Sequence, residues 1–365
     1  MRINSTGRGA NHLEITHCLR FAVVGLQHFH VHEMIQGMLN VPGIEFVAIA
    51  DSDESILIKN QLRYKVHGYD DYREMLEKEH PDVVGCCTIP SYRADIIATC
   101  LNNGLHVISD KPVATTFDNL VKIENALGSG HALLSVMFTE RFNPPVCTLK
   151  KLVDEGVLGR IANFIAIRSH KLMKEARPAW MFRRETYGGT LVDLAIHDID
   201  IFNWIAGVNM AHISAWHANV GCQEYPEFED AGTIMLAATG SPSAFVRVDW
   251  LAPTAEVAHG DCRFFVIGTK GSAEVKVSGD ISLPGGSVRI CTHYKPPMEI
   301  SLVEPEKSLY EDFIDAVRSN ASGYGITEDI NSTQRIITHK DIITASRVVL
   351  LARESADRNQ LILYK

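Results

Sequence analysis

Short apolar runs and amphipathic stretches take turns over the first third of the chain. Leu19 to Val24 is a β-rich apolar run that stops at Gly25, and a helical spacing of apolar residues follows from Val31 to Leu39. Ile44 to Ala50 predicts a second buried strand, closed by Asp51, with Ser52 and Asp53 at a helix start. Strand, tight turn, helix and strand in this order describe a βαβ unit. The alternation continues with a helix around Ile56 to Tyr64, a short segment at Lys65 to Gly68, a helix from Asp70 to Glu79 and a strand from Val83 to Thr88 that ends at Ile89-Pro90. A helix from Ala94 to Asn102 and a strand from His106 to Ser109 follow, and the strand runs into Asp110-Lys111-Pro112. Strands so poor in charge, each followed by a helix, predict a parallel sheet covered on both faces, with ligands at the carboxyl ends of its strands. Gly25, Asp51, Pro90 and Lys111 all fall there.

Past Pro145 the pattern changes. Ile161 to Ser169, Ile213 to Val220, Ala231 to Ala238, Ser243 to Trp250, Cys262 to Ile267 and Ala273 to Val277 are strand-like, several of them alternating, with turn residues between them. They predict a largely antiparallel sheet with one face packed and the other available to a second copy of the chain. Ser308 to Arg318 and Asp341 to Ser355 close the chain as amphipathic helices. The expected fold class is α/β: a doubly wound, Rossmann-type parallel sheet, then an α+β unit with a large, mainly antiparallel sheet. Residues 1–18 read as a loose leader, 19–140 as the dinucleotide-binding unit and 141–365 as the substrate-binding and oligomerisation unit.

Composition narrows the partners. A length of 365 residues suits two domains, and 46% hydrophobic with 22% charged residues is ordinary for a globular protein. A net charge of -9 argues against a nucleic-acid partner, which calls for clustered Lys and Arg. Eight cysteines, single apart from Cys86-Cys87, form no C-x-x-C or Cys/His set, so they read as reduced thiols and not as a zinc site. Met1 to Cys18 has no apolar signal region and no later run suits a bilayer, so the expected compartment is the cytoplasm.

Two stretches carry candidate chemistry. A dinucleotide fingerprint G-x-G-x-x-G starting at Gly25 would need glycine at positions 27 and 30, where the chain has Gln27 and His30. Gln27 and His28 would instead offer side-chain donors to a pyrophosphate. The trio His28, His30 and His32 invites a metal reading, but alternate positions crossing from a turn into a helix do not converge without partners, and no carboxylate set is evident; no metal is expected. The second stretch, Tyr187 to Asp200, puts Asp193 and His197 at i and i+4 behind Gly188-Gly189, on one face if it is helical. That spacing suits a supported general base. Taken alone, these residues suit better an amphipathic helix with Leu191, Leu194, Ile201 and Trp204 in a core and its acids in water.

Asp110-Lys111-Pro112, after Asn102-Asn103-Gly104-Leu105-His106-Val107, looks like the Glu-Lys-Pro motif of the glucose-fructose oxidoreductase and inositol dehydrogenase family. Gly188-Gly189 followed by Asp193, His197 and Asp200 looks like that family's D-x-x-x-H-x-x-D motif. Arg141-Phe142-Asn143-Pro144, Gly156-Val157-Leu158-Gly159 and Gly268-Thr269-Lys270-Gly271 follow in the family's order, so the chain resembles it from Leu19 onward. The departures are the broken glycine fingerprint and Arg93, which stands about where many members carry histidine.

The resemblance implies an NAD(P)-dependent dehydrogenase or reductase that moves a hydride between a secondary alcohol of a sugar, polyol or cyclitol and a nicotinamide. It implies Lys111, Asp193 and His197 as the catalytic set, and cofactor contacts from Gly25, Gln27, His28, Phe29, Asp51, Ile89, Pro90, Asp110, Lys111 and Asn143. Substrate contacts would come from Lys111, His170, Trp180, Tyr187, Asp193 and His197, with Arg168, Lys171 and Arg183 nearby. Oxidising an alcohol requires a base near the working pH beside a positive charge, which suits His197 and Lys111, while Asp193 would bond the substrate and help to set the imidazole. Asp193 and His197 would face the nicotinamide, with Leu194, Ile201 and Trp204 turned away. Asp51 favours NAD over NADP, because a carboxylate accepts from a ribose hydroxyl and repels a 2′-phosphate, a preference that Arg63 or another cation would reverse. A homodimer or homotetramer through the second sheet is expected. The alternative is a catalytically idle regulator of the same fold that binds a dinucleotide or a sugar.

Overall fold

The computed structural model describes residues 18–207, 212–237, 240, 242–279, 282, 285–321 and 337–364. The expected leader lies outside the described residues except for Cys18, as does the strand end expected at Ala238. The first unit runs β1 (Leu19–Val24), α1 (His30–Leu39), β2 (Ile44–Ala50), α2 (Glu54–Tyr64), β3 (His67–Tyr69), α3 (Tyr72–Glu79), β4 (Val83–Cys86), α4 (Pro90–Asn102), β5 (His106–Ser109), α5 (Phe117–Gly128) and β6 (Leu134–Val136). Its sheet is parallel throughout in the order β3-β2-β1-β4-β5-β6, so the strand order reverses between β1 and β4. The carboxyl ends of those two strands flank the crevice where such folds bind dinucleotides.

Local chemistry sets the helix starts. Asp53 caps α2 through the Ser55 and Ile56 amides, and Asp71 caps α3 through the Arg73 amide. α4 starts at Pro90 and not at Ala94, because a proline at the first helical position gives up only an N–H that has no partner there. Gly25 has φ +86°, and a Cβ on it would stand 2.2 Å from the Thr88 backbone, so the turn after β1 closes against the end of β4 only with glycine.

The second unit contains α6 (Pro144–Asp154), β7 (Ile161–His170), a one-turn helix α7 (Arg184–Tyr187), α8 (Thr190–Ala206) and β8 (His212–Ala218). Next come β9 (Ala231–Ala237), β10 (Ser243–Asp249), β11 (Gly260–Gly268), β12 (Gly271–Ser278), β13 (Ser287–Thr292) and β14 (Lys295–Ile300). Then α9 (Leu309–Ala321), α10 (His339–Arg358) and β15 (Ile362–Leu363) end the chain. The nine strands run β14-β13-β12-β11-β7-β10-β9-β8-β15, antiparallel except for β10 beside β7. α8 lies on one face, where Phe164 stacks on Phe202 at 5.6 Å and on Phe264 at 5.4 Å. On the opposite face Met235, Phe245, Ile165 and Phe265 stand in register across β9, β10, β7 and β11, with Met235 60% exposed.

The closing helices also return to the first sheet. His339 on α10 accepts from the Leu134 amide at 3.0 Å, and Tyr310 on α9 fills the space beside Gly37 on α1. No described helix is long and apolar enough to cross a membrane.

Candidate active site

α8 is buried on every side from Thr190 to Phe202, which contradicts the reading of an amphipathic helix with its acids in water. Each acid instead meets a buried cation: Asp193 meets Lys111, Asp198 meets Arg168 and Asp200 meets Arg141. The last pair is two-pronged, at 2.7 and 2.6 Å, and the Arg141 guanidinium also lies 4.9 Å over the Trp204 ring. Asp200 therefore fastens α8 to the junction before α6.

Lys111, at the end of β5, donates to Oδ1 of Asp193 at 2.7 Å and to its carbonyl at 3.1 Å. Tyr187 donates to Oδ2 of the same carboxylate at 2.7 Å and accepts from Nε1 of Trp250 at 3.0 Å. Burial would push the Asp193 carboxyl up, but Lys111 and Tyr187 outweigh it and hold the group below its ordinary range. Its two oxygens are thus engaged away from His197, so the expected role of Asp193 in setting the imidazole has no direct bond behind it. Nδ1 of His197 is buried with no partner among the described residues. Burial, then Lys111 and Arg168, hold His197 well below 6.5, so it stands as a neutral imidazole and a weaker base than the one near the working pH expected from the sequence.

These groups share one cleft of about 190 Å³ at the carboxyl edge of the first sheet. Lys111, His170, Trp180, Tyr187, Asp193 and His197 all line it, as do His28, Phe29 and Pro90. Leu194 lines it too, contrary to the expectation that it turns away, whereas Ile201 is in the core. Gly25, Gln27, Asp51, Ile89, Asp110 and Asn143 are not among its lining residues. Asp51 accepts from the Leu26 amide at 2.7 Å and the Asp53 amide at 2.9 Å, which holds the turn after β1. Asp110 is wholly buried, so its carboxylate supports the site from behind.

Arg93, one of the departures noted in the sequence, is a buried brace. It donates to the Thr88 carbonyl at 2.8 Å, to the Lys111 and Pro112 carbonyls and to Asp110 at 2.7 Å, fixing the backbone that carries Lys111. The ground for dismissing a histidine cluster is also overturned. His28 and His30 do converge, and the carboxylate that unites them is Asp110, whose two oxygens lie 2.9 Å from their Nδ1 atoms. His32 turns away to the Tyr64 hydroxyl, with Arg63 at 3.2 Å.

The sequence reading also missed Glu140, Arg177, Trp250 and His259 as cleft residues. Arg177 lies 4.9 Å over Trp250 and 5.5 Å from the Phe29 ring, joining the two walls. Only its nearness to Trp180 in the chain could have pointed to it. Lys171 and Arg183 do not line the cleft, and Arg184 pairs with Glu229 and Asp357.

Burial lowers His28 to about 4 against the pull of Asp110, and burial with Arg168 lowers His170 to about 2. Both values lie below the 6.5 of an unfolded histidine. Below that pH the unfolded chain takes up protons that the folded chain refuses, so this stability is complete above it and is lost as the pH falls. His28 alone accounts for roughly 2 kcal/mol by pH 5. The urea midpoint is expected to be lower at pH 5 than at pH 7, and equal midpoints would contradict the neutral, buried histidines.

A nicotinamide dinucleotide fits this end of the sheet: the Cβ-free turn at Gly25 stands beside the strand-order reversal, and in the cleft His197 Nδ1 and Trp180 Nε1 are buried without partners among the described residues. Residues 19–138 match the oxidoreductase family with an NAD-binding Rossmann fold, and residues 146–274 match the GFO/IDH/MocA C-terminal domain. The scyllo-inositol 2-dehydrogenase (NAD(+)) of Bacillus subtilis is 25% identical over 261 residues, which is 70% of this chain and 73% of that protein. The uncharacterized oxidoreductase YrbE of the same organism is 25% identical over 295 residues, 78% of this chain and 83% of its own. A solved structure described as an oxidoreductase from Thermotoga maritima has a TM-score of 0.83 at 30% identity, covering 95% of this chain and all of that one. The chain belongs to the GFO/IDH/MocA oxidoreductase family, and its first unit is an NAD-binding Rossmann fold.

Proposed function

We propose that this oxidoreductase moves a hydride between a secondary alcohol of a sugar, polyol or cyclitol and NAD, with Lys111, Asp193 and His197 as its catalytic set. The carrying observation is that Lys111 and Asp193, joined through Tyr187 to Trp250, share one cleft with a neutral, buried His197. The bound nicotinamide supplies the carbon that accepts or donates the hydride.

His197 takes the hydroxyl proton during oxidation, since its depressed basicity keeps it unprotonated, and returns it during reduction. Lys111 sets a fixed positive charge beside the oxygen on which negative charge grows. Asp193 holds the Lys111 ammonium in place and accepts from substrate hydroxyls. His170, Trp180 and Tyr187 supply the mixed polar and aromatic lining that hydroxylated rings need. The turn from Gly25 through Gln27, His28 and Phe29, with Asp51, Ile89, Pro90, Asp110 and Asn143, holds the cofactor directly or from behind. The inositol 2-dehydrogenase among the relatives supports the substrate class.

The test is NADH formation by the purified chain with NAD across a panel of sugars, polyols, cyclitols and uronates. Turnover of a hydroxylated substrate is expected. The side chains in place of the fingerprint glycines favour a second reading, an idle binding protein, and NAD binding with no turnover across the panel would decide for it.

The apolar row Met235, Phe245, Ile165 and Phe265 supports a homodimer or homotetramer through the open face of the second sheet. Sedimentation velocity is expected to show a dimer or tetramer that Phe245→Glu converts to monomer. A monomeric parent protein would remove this reading.

A further inference from the structure

We infer that His28, His30 and Asp110 form a divalent-cation site on the nucleotide-binding wall of the cleft. The two imidazoles straddle the start of α1, and the carboxylate arrives from the end of β5, 80 residues further along the chain from His30. One ligand atom from each of the three residues falls within 4.8 Å of the others, and each Nδ1 stands 2.9 Å from a different oxygen of Asp110. Ligands at right angles around an ion at about 2.1 Å lie about 3 Å apart. Each imidazole therefore already stands at that spacing from a carboxylate oxygen, and side-chain movement that draws three ligand atoms in from within 4.8 Å of one another would complete the site.

The donor set selects the kind of ion. Two imidazoles and one carboxylate suit manganese, iron, cobalt or zinc rather than calcium or magnesium, which prefer oxygen alone. Access and support are both built in. The side chains of His28 and His30 are 14% and 22% exposed and line the cleft, while that of Asp110 is fully buried, so the remaining coordination positions face the substrate space. Asp110 is held from behind by Arg93 and by the Lys111 amide, the outer bonding that keeps a metal-ligating carboxylate in place. Glu33 follows His30 by one turn of α1 and lines the same cleft, so a second carboxylate is at hand to offset the Arg93 charge.

The chain's departure from the glycine fingerprint gains a reason from this site. At position 30 a bulky imidazole replaces the hydrogen atom that would let helix and strand approach, and that imidazole is one of the three ligands. Proton balance is simple. Where a ring donates Nδ1–H to Asp110 in the ion-free form, the ion takes the place of that proton at Nδ1 and the proton moves to Nε2, with no change of oxidation state. An ion here, beside Lys111, would bind substrates that present two adjacent oxygens, such as vicinal diols or hydroxy acids.

The test uses the full chain, stripped with EDTA and free of dinucleotide, so that it stands apart from turnover. Cobalt(II) is expected to bind one ion per chain with the visible absorption of a nitrogen and oxygen site, and zinc(II) to displace it. His28→Ala and His30→Ala are each expected to weaken cobalt binding by roughly 100-fold. Thermal melts of both variants serve as the check that they are folded, and Asp110 is left intact because Arg93 bonds to it. No stoichiometric binding at millimolar cobalt, unchanged affinity in both variants, or the strong charge-transfer band of a thiolate site would each overturn the inference.

Discussion

Lys111→Ala is expected to lower kcat/KM for alcohol oxidation by about a thousandfold, and His197→Ala by a comparable factor. The ammonium of Lys111 is fixed by two bonds to Asp193 and the side chain is buried, so its charge needs little reorganisation when an alkoxide develops. One such donor is commonly worth about 3–4 kcal/mol at the transition state. Lys111→Arg should not restore the rate, because a planar guanidinium cannot occupy the point-charge position between the Asp193 carbonyl and Oδ1. Loss of His197 removes the proton acceptor without removing a bond to Asp193, so its effect should fall on kcat more than on KM. Steady-state kinetics with the best substrate of the panel checks both, and losses below about tenfold would exclude these roles.

Arg141→Leu is expected to destabilise the fold by roughly 3–5 kcal/mol. The side chain is fully buried, and its removal leaves the Asp200 carboxylate in the core of α8 without its two-pronged partner. Asp341 at the start of α10 would lose a contact at 3.3 Å as well. Because the cost comes from an unpaired charge, combining Arg141→Leu with Asp200→Leu should recover much of it. Urea unfolding of the two single variants and the double variant measures this. A single-variant loss under about 1 kcal/mol would show that the pair does not anchor α8.

The first sheet was legible because β1, β2, β4 and β5 are mostly apolar and run into Gly25, Asp51, Ile89-Pro90 and Asp110. β6 carried no such signal, since its three residues, Leu-Ser-Val, fit a strand, a turn or a buried loop equally. In the second unit, alternation exposed the central strands, whereas β14 has five of its six residues exposed and its sequence Lys-Pro-Pro-Met-Glu-Ile has no packed face to read.

The site was less legible for a reason that concerns charge. The acids of α8 look solvated in the sequence because their cations come from β5, β7 and the segment before α6, beyond the reach of any local pattern. The pairing of Lys111 with Asp193 spans 82 residues, and only the family motifs joined the two. Asp110 misled in the same way: it looked like part of the Lys111 motif, yet it gathers His28 from the turn after β1, His30 from the start of α1 and Arg93 from α4.

The most direct test of the catalytic account is a paired measurement on His197→Asn, with NAD affinity and single-turnover NADH formation determined on the same preparation. NAD affinity within a few-fold of the parent is expected, with NADH formation slower by about a thousandfold at neutral pH. NADH formation at the parent rate, with the cofactor equally bound, would contradict it.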